Sequence, residues 1–178
     1  MSCRRILAGA ALGAVLTTSL MAQAPRPQSN KAQTFLTKAA NGGMYEVESS
    51  KQALEKAKDA SVKQFAQRMI DDHSKANKEI ESIAAKNGVN VPKNLDKAHA
   101  AKLKTLSAAK GTAFDRTYVQ QQTDAHRQAV TLFRDYAAKG ENAELKAFAG
   151  QTLPTLESHT KEVQELSRGL KGTPAAKK

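Results

Sequence analysis

Residues 61–88 read SVKQFAQRMIDDHSKANKEIESIAAKNG and carry the pattern that decides the fold. The apolar and small side chains recur every three or four residues, which places them on one face of an α-helix. We predict the helix N-cap at Ser61 and the helix end at Asn87-Gly88, a pair typical of a left-handed C-terminal cap. A long helix with one apolar face needs partner helices to cover it. The face consists of Val62, Phe65, Ala66, Met69, His73, Ala76, Ile80 and Ala84.

Three further segments repeat this period and predict long helices at about 31–58, 112–139 and 142–169. Thr112 is predicted to cap the second of these segments. A shorter, lysine-rich segment at about 95–110 predicts an additional short helix in the crossover between the second and third long helices. No run of alternating β-branched and polar residues predicts a strand. The sequence therefore predicts an all-α four-helix bundle with an additional short helix in its crossover.

The composition limits the class of protein. The chain has 178 residues, 40% of them hydrophobic, one cysteine and a net charge of +11. These values fit one domain with a core, and they exclude a multidomain enzyme, a disulfide scaffold and a polytopic membrane protein. Walker, Gly-x-Ser-x-Gly and His-Glu-x-x-His motifs are all missing from the sequence. The sequence favours a non-enzymatic protein.

Residues 1–24 have the pattern of a signal peptide. Arg4 and Arg5 precede a short apolar run, and small residues follow it, so cleavage is predicted after Ala22 or Ala24. Removing this segment lowers the net charge from +11 to +9 and leaves no transmembrane span. The sequence therefore predicts export to the periplasm or the outer membrane.

The rest of the chain divides into three parts. Residues 25–30 hold two prolines and predict a linker, and residues 31–170 form the predicted bundle domain. Residues 171–178 predict a disordered tail. The only cysteine, Cys3, leaves with the signal peptide, which removes thiol chemistry from the exported chain.

Four groups of residues in the helical segments form a recognisable combination. They are Glu46, Phe65-Ala66-x-x-Met69-x-x-Asp72-His73, Phe114-Asp115-x-x-Tyr118, and Pro154 with His159. With these motifs, about 34–166 of this sequence resembles the bacterial domain-of-unknown-function family 4142. The resemblance implies a ferritin-like fold and an exported, outer-membrane-type protein, but no reaction.

Three histidines form the candidate site. His73, His126 and His159 each lie on the apolar face of a different long helix, and Glu46 lies on the flank of the remaining one. Counted from the interhelical turns, Glu46 and His73 are predicted at one level, and His126 and His159 about one turn apart. Three imidazoles and a carboxylate would suit a mononuclear Zn, Fe or Cu site in the bundle core.

The alternative to a metal site is a structural polar network, and the sequence favours it, with no cofactor. The Glu-x-x-His pairs of di-iron bundles are missing, because Ile70, Thr123 and Leu156 stand three residues before the histidines. In the network reading, His73 would bond Glu46, and the other two histidines would bond neighbouring polar groups. The candidate partners of His126 and His159 are Asp115, Tyr118 and Gln122.

The segment Lys93–Lys110 holds five lysines and one aspartate and predicts a basic helix surface. It is a candidate contact for an anionic envelope surface such as lipid, lipopolysaccharide or polymer. A signal peptide and the lack of an aromatic or arginine-rich surface disfavour nucleic-acid binding. The prediction is thus an exported ferritin-like bundle with a non-enzymatic binding or envelope-associated role, and the alternative is a metal-binding protein.

Overall fold

The computed structural model describes residues 30–172 of the chain, and it is all-helical over that range, which confirms the all-α prediction. The predicted signal peptide, residues 25–29 of the linker and the end of the tail lie outside the described residues. None of the helices in the described part is long and apolar enough to cross a membrane. The helices are α1 (Asn30–Lys56), α2 (Ala60–Lys86), α3 (Lys97–Ala108), α4 (Thr112–Lys139) and α5 (Ala143–Gly172).

Contacts at the two ends of the bundle define its topology. At one end, called the upper end, the Asp115 carboxylate at the start of α4 accepts from the Lys58 and Asp59 amides, which follow α1. At the lower end, Lys31 at the start of α1 lies 3.0 Å from Glu141, just after α4. Helices α1 and α4 are therefore antiparallel, α2 runs parallel to α4, and a crossover must return the chain from the lower to the upper end.

Helix α3 is that crossover. The Asp96 amide before α3 donates to Asn41 Oδ1 of α1 at 2.8 Å, and the Ser107 carbonyl near its end accepts from Lys56 Nζ at 3.1 Å. Helix α3 thus lies along α1 from the lower to the upper end. Its Leu106 is fully buried, so the apolar side of the helix faces the bundle.

Two apolar clusters fill the core, one at each end. On each of α1, α2, α4 and α5, buried polar residues occur in the sequence between the residues of one cluster and those of the other. They form a middle layer of buried polar groups. The lower cluster includes Phe35, Leu36, Ile80, Ile83, Phe133, Tyr136, Leu145, Phe148 and Leu156. The upper cluster includes Ala53, Val62, Phe65, Met69, Leu106, Phe114, Tyr118, Val119 and Val163. The middle layer includes Glu46, Ser49, His73, Gln122, His126 and His159.

The structure corrects both predicted N-caps. Helix α2 is capped by Asp59, whose Oδ1 accepts from the Ser61 and Val62 amides at 2.8 and 3.2 Å, so Ser61 is a helical residue. Helix α4 is preceded by Gly111, with φ +55°, and no side chain caps it. A positive φ suits glycine, because L side chains are strained there. Thr112 is therefore the first residue of α4.

We expect Asp115→Ala to lower the free energy of unfolding by about 2 kcal/mol, because two backbone amides would lose their acceptor at a partly buried turn. Urea unfolding followed by circular dichroism measures this change. Asp124→Ala on the same helix is the control, because exposed Asp124 accepts from the Gln120 side chain alone. Equal losses in the two variants would contradict the assigned role of Asp115.

Candidate metal centre

Three buried histidines meet in the middle layer. His73 of α2, His126 of α4 and His159 of α5 have ring centroids 5.4–5.7 Å apart. One candidate ligand atom from each residue lies within 4.8 Å of the others. We call these three residues the His triad. The structure brings together the three histidines that the sequence places on the apolar faces of three helices.

His126 and His159, which the residue count predicts about one turn apart along the axis, have ring centroids 5.4 Å apart. His126 lies 13 residues before the end of α4, and His159 lies 16 residues after the start of α5. The backbone positions of the two residues therefore differ by three residues, or roughly 4.5 Å along the axis at about 1.5 Å per residue. Side chains tilt toward the N-terminus of their own helix, so in this antiparallel pair His126 leans away from the turn and His159 leans toward it. The two tilts bring the rings closer together along the axis than the backbone positions of the two residues.

In two of the three rings, one nitrogen, which we call the back nitrogen, makes a hydrogen bond that holds the ring in place. His126 Nδ1 lies 3.0 Å from the Gln122 carbonyl, and His159 Nε2 lies 2.9 Å from Asp72 Oδ2. Carbonyl and carboxylate oxygens only accept, so the proton of each neutral ring is on that nitrogen. The opposite nitrogens, Nε2 of His126 and Nδ1 of His159, therefore present lone pairs. This is the outer-shell arrangement that orients histidine ligands in metal sites.

Three buried ring nitrogens of the triad have no hydrogen-bond partner. They are Nε2 of His73, Nε2 of His126 and Nδ1 of His159. The buried side-chain oxygens Glu46 Oε2, Asn77 Oδ1 and Gln122 Oε1 also lack a partner. Carbonyl and carboxylate oxygens and unprotonated ring nitrogens donate electron pairs, and leaving such groups unpaired costs about 1–3 kcal/mol each. Nε2 of His126, Nδ1 of His159, Asn77 Oδ1 and Gln122 Oε1 are therefore electron-pair donors that lack a proton donor or a cation.

Burial keeps the triad neutral. It lowers the pKa of His73 well below the ordinary value of 6.5, and the neighbouring His126 and His159 lower it further. Burial, helped by His159, lowers the pKa of His126 to about 4. Burial also lowers the pKa of His159, although the hydrogen bond to Asp72 opposes that shift. At neutral pH the three rings are uncharged, which is the form that binds metal ions.

Glu46 lies beside the triad, next to the hydrogen-bonded nitrogen of His126. Its Oε1 is 3.7 Å from Nδ1 of His126, the nitrogen already bonded to the Gln122 carbonyl. Burial raises the pKa of Glu46 to about 8, against the opposing effects of a hydrogen bond with Gln122 and the charge of Lys102. Glu46 therefore occupies a second layer around the triad, behind one of its rings.

The proposed structural partners lie elsewhere, apart from Gln122. The Tyr118 hydroxyl lies 2.8 Å from Ser50 Oγ, and Asp115 binds the α1–α2 turn. His73 Nε2 has no bond to Glu46. Asp72 of α2 bonds His159, and the sequence pattern does not predict this contact. The contact depends on how α2 is rotated about its axis relative to α5, which residue spacing does not determine.

A cavity of about 790 Å³ adjoins the site. Glu46, His73 and Asn77 contribute to its wall, together with Ile80 and Phe133 of the lower cluster. His73 is therefore the member of the triad that borders this cavity.

Residues 17–166 match the family described as Domain of unknown function (DUF4142). The chain belongs to the DUF4142 family. This confirms the resemblance, and the match spans the whole His triad. No curated protein sequence matches this DUF4142 chain.

Solved structures share the fold. A DUF305 fragment from Deinococcus radiodurans superposes with a TM-score of 0.70 at 15% identity, covering 80% of this chain and 99% of the fragment. CopM in the Cu(II)-bound form has a TM-score of 0.66 at 19% identity, covering 78% of this chain and 96% of CopM. CopM in the Cu(I)-bound form has a TM-score of 0.68 at 20% identity, covering 79% and 98%. At these identities the likeness establishes the fold.

In the presence of a chelator, we expect the free energy of unfolding of Glu46→Gln to rise relative to that of the wild type as the pH increases from 5 to 8. Folded Glu46 has a pKa of about 8 against an ordinary 4.5, so it holds a proton that the unfolded chain releases in this window. Wild-type stability then falls with pH, by up to about 1.4 kcal/mol per unit, and glutamine removes that contribution.

Urea unfolding at pH 5, 6.5 and 8 measures the trend. Glu48→Gln is the control, since Glu48 is half-exposed on the same helix and pairs with Lys51. Parallel pH profiles for the wild type and Glu46→Gln would show that Glu46 ionises normally in the folded chain.

Proposed function

We propose that this DUF4142 chain is a metal-binding protein that takes one copper ion at the His triad. The observation that carries the proposal is the set of three buried, unpartnered ring nitrogens contributed by three helices. A purely structural network accounts for the back nitrogens of His126 and His159, which already have partners. It leaves the three unpartnered ring nitrogens without a hydrogen bond, whereas one cation could bind all three.

The spacing of the triad fits a metal ion after a small adjustment. Metal–imidazole bonds of about 2.0–2.1 Å put ligand nitrogens roughly 3.4 Å apart. The candidate ligand atoms lie within 4.8 Å, so they need to close by about 1.4 Å or less. Rotation of the His73 ring, which makes no hydrogen bond that would hold it, can supply part of that closure.

Copper is favoured over the other ions that accept imidazole. Cu(II) stands highest in the affinity order of divalent first-row metals, and imidazole suits copper in both oxidation states. Three neutral ligands in a buried layer also favour an ion of low charge, since burying charge is costly. CopM, which shares this fold, has been solved with Cu(I) and Cu(II), and this supports the proposal.

The role we propose is binding, without a reaction. The signal-peptide pattern in residues 1–24 supports a location in the periplasm or at the outer membrane. There a single-site copper protein would hold or carry the ion. The neutral triad and the Asp72 and Gln122 supports need no change in charge to accept it.

We expect purified wild-type chain to bind one equivalent of copper and His73→Ala to bind it at least about 100-fold more weakly, because one of three ligands is gone. Titration with Cu(II) in a competing chelator measures the affinity. Copper at 100 times its Kd should also raise wild-type stability by about 2.7 kcal/mol.

The control is His99→Ala. His99 lies outside the triad on α3 and bonds Asp96, so its loss should leave copper affinity unchanged. Circular dichroism shows whether each variant folds. A wild type that binds no copper, together with a large loss of metal-free stability in His73→Ala, would overturn the metal proposal and support the structural network.

A second proposal concerns the surface of α3. Lys93, Lys97, Lys104 and Lys110 are exposed, while Leu106 is buried against the bundle. We propose that these lysines contact an anionic envelope surface by charge alone, because the apolar side of the helix is already occupied. Such binding weakens steeply with salt, since exposed charges are screened.

We expect Lys97→Glu/Lys104→Glu to abolish cosedimentation with vesicles that contain anionic lipid at low salt. Lys78→Glu/Lys146→Glu makes the same charge change at exposed positions on α2 and α5 and is the control. Equal binding by the two double variants would exclude α3 as the contact. Binding that persists at 0.5 M salt would exclude a contact made by charge alone.

A further inference from the structure

The cavity beside the triad has a polar part and an apolar part. Near the triad its wall carries Glu46, His73 and Asn77. Glu46 Oε2, His73 Nε2 and Asn77 Oδ1 are buried atoms without a hydrogen-bond partner. Farther along, the wall is formed by the buried apolar side chains of Ile80 and Phe133, together with Leu156. A compact molecule with a polar head and an apolar body would match both parts.

We infer that this cavity binds a small neutral molecule that carries one nitrogen donor on an apolar or aromatic body, and that its donor completes the coordination of copper held by the triad. The inference rests on the proposed copper site and names a second ligand for it. The volume of about 790 Å³ is within the usual range of small-molecule sites.

The triad leaves room for such a donor. It supplies three nitrogens, and three-ligand protein sites commonly keep an exchangeable position for a small molecule. Glu46 does not take that position, since its closest approach to the triad is to the back nitrogen of His126. His73 is the triad member on the cavity wall, so a molecule in the cavity reaches the copper past His73.

The charges around the cavity favour a neutral ligand. Its charged wall residues comprise three cationic and three carboxyl side chains, so neither sign dominates. The triad end lies in a buried layer, where an unpaired charge is costly. The six residues are Lys38, Lys102, Arg127, Glu46, Asp96 and Asp135.

Imidazole and 4-phenylimidazole test the inference on Cu(II)-loaded wild-type protein. Both offer the same donor, and the second adds an apolar ring. We expect both to shift the visible and electron paramagnetic resonance spectra of the bound copper. The phenyl compound should bind at least about tenfold more tightly, because its ring is buried against Ile80 and Phe133. Gel filtration with copper analysis verifies that the metal stays on the protein.

Ala129→Trp fills the cavity from α4, where Ala129 is half-buried on the wall. This variant should bind copper normally and lose the tenfold preference. Ala138→Trp, exposed on the same helix and outside the cavity, should keep it. Copper binding without a spectral shift, or a wild type without the preference, would overturn the inference and leave the copper site standing. Failure to bind copper at all would instead overturn the proposed function.

Discussion

Three buried imidazole nitrogens without hydrogen-bond partners are the feature on which the middle of this bundle depends. They lie between two apolar clusters that pack the ends of the four long helices. Buried polar groups without partners destabilise a fold unless something satisfies them. In a purely structural layer the three rings could have been replaced by apolar side chains of similar size. Their presence at the centre is explained if the layer serves a ligand.

The surrounding contacts would suit the triad to the copper ion that we propose. Gln122 and Asp72 hold two rings by their back nitrogens, and burial keeps all three neutral. His73 makes no such bond, and it is the ring that borders the cavity. In the proposed copper site, two ligands would be held in place and the third could move as the ion enters. Preorganised ligands of this kind bind metals more tightly than flexible ones.

Much of this architecture can be predicted from the sequence, because long amphipathic helices carry a strong periodic signal. The apolar period places His73, His126 and His159 on inward faces, and the turns at 57–59 and 140–142 fall where that period breaks. Residue counts place His126 and His159 about one turn apart, and side-chain tilt then brings their rings closer together along the axis. The apolar period does not predict the contact between Asp72 and His159, because that contact depends on the rotation of α2 relative to α5.

X-ray absorption at the copper edge of the loaded wild-type protein counts the imidazole ligands of the bound ion. We expect three imidazole ligands around copper in the wild type, recognised by the outer-ring scattering of histidine, and two in His73→Ala. A first shell of oxygen ligands, or an imidazole signal that His73→Ala leaves unchanged, would contradict it.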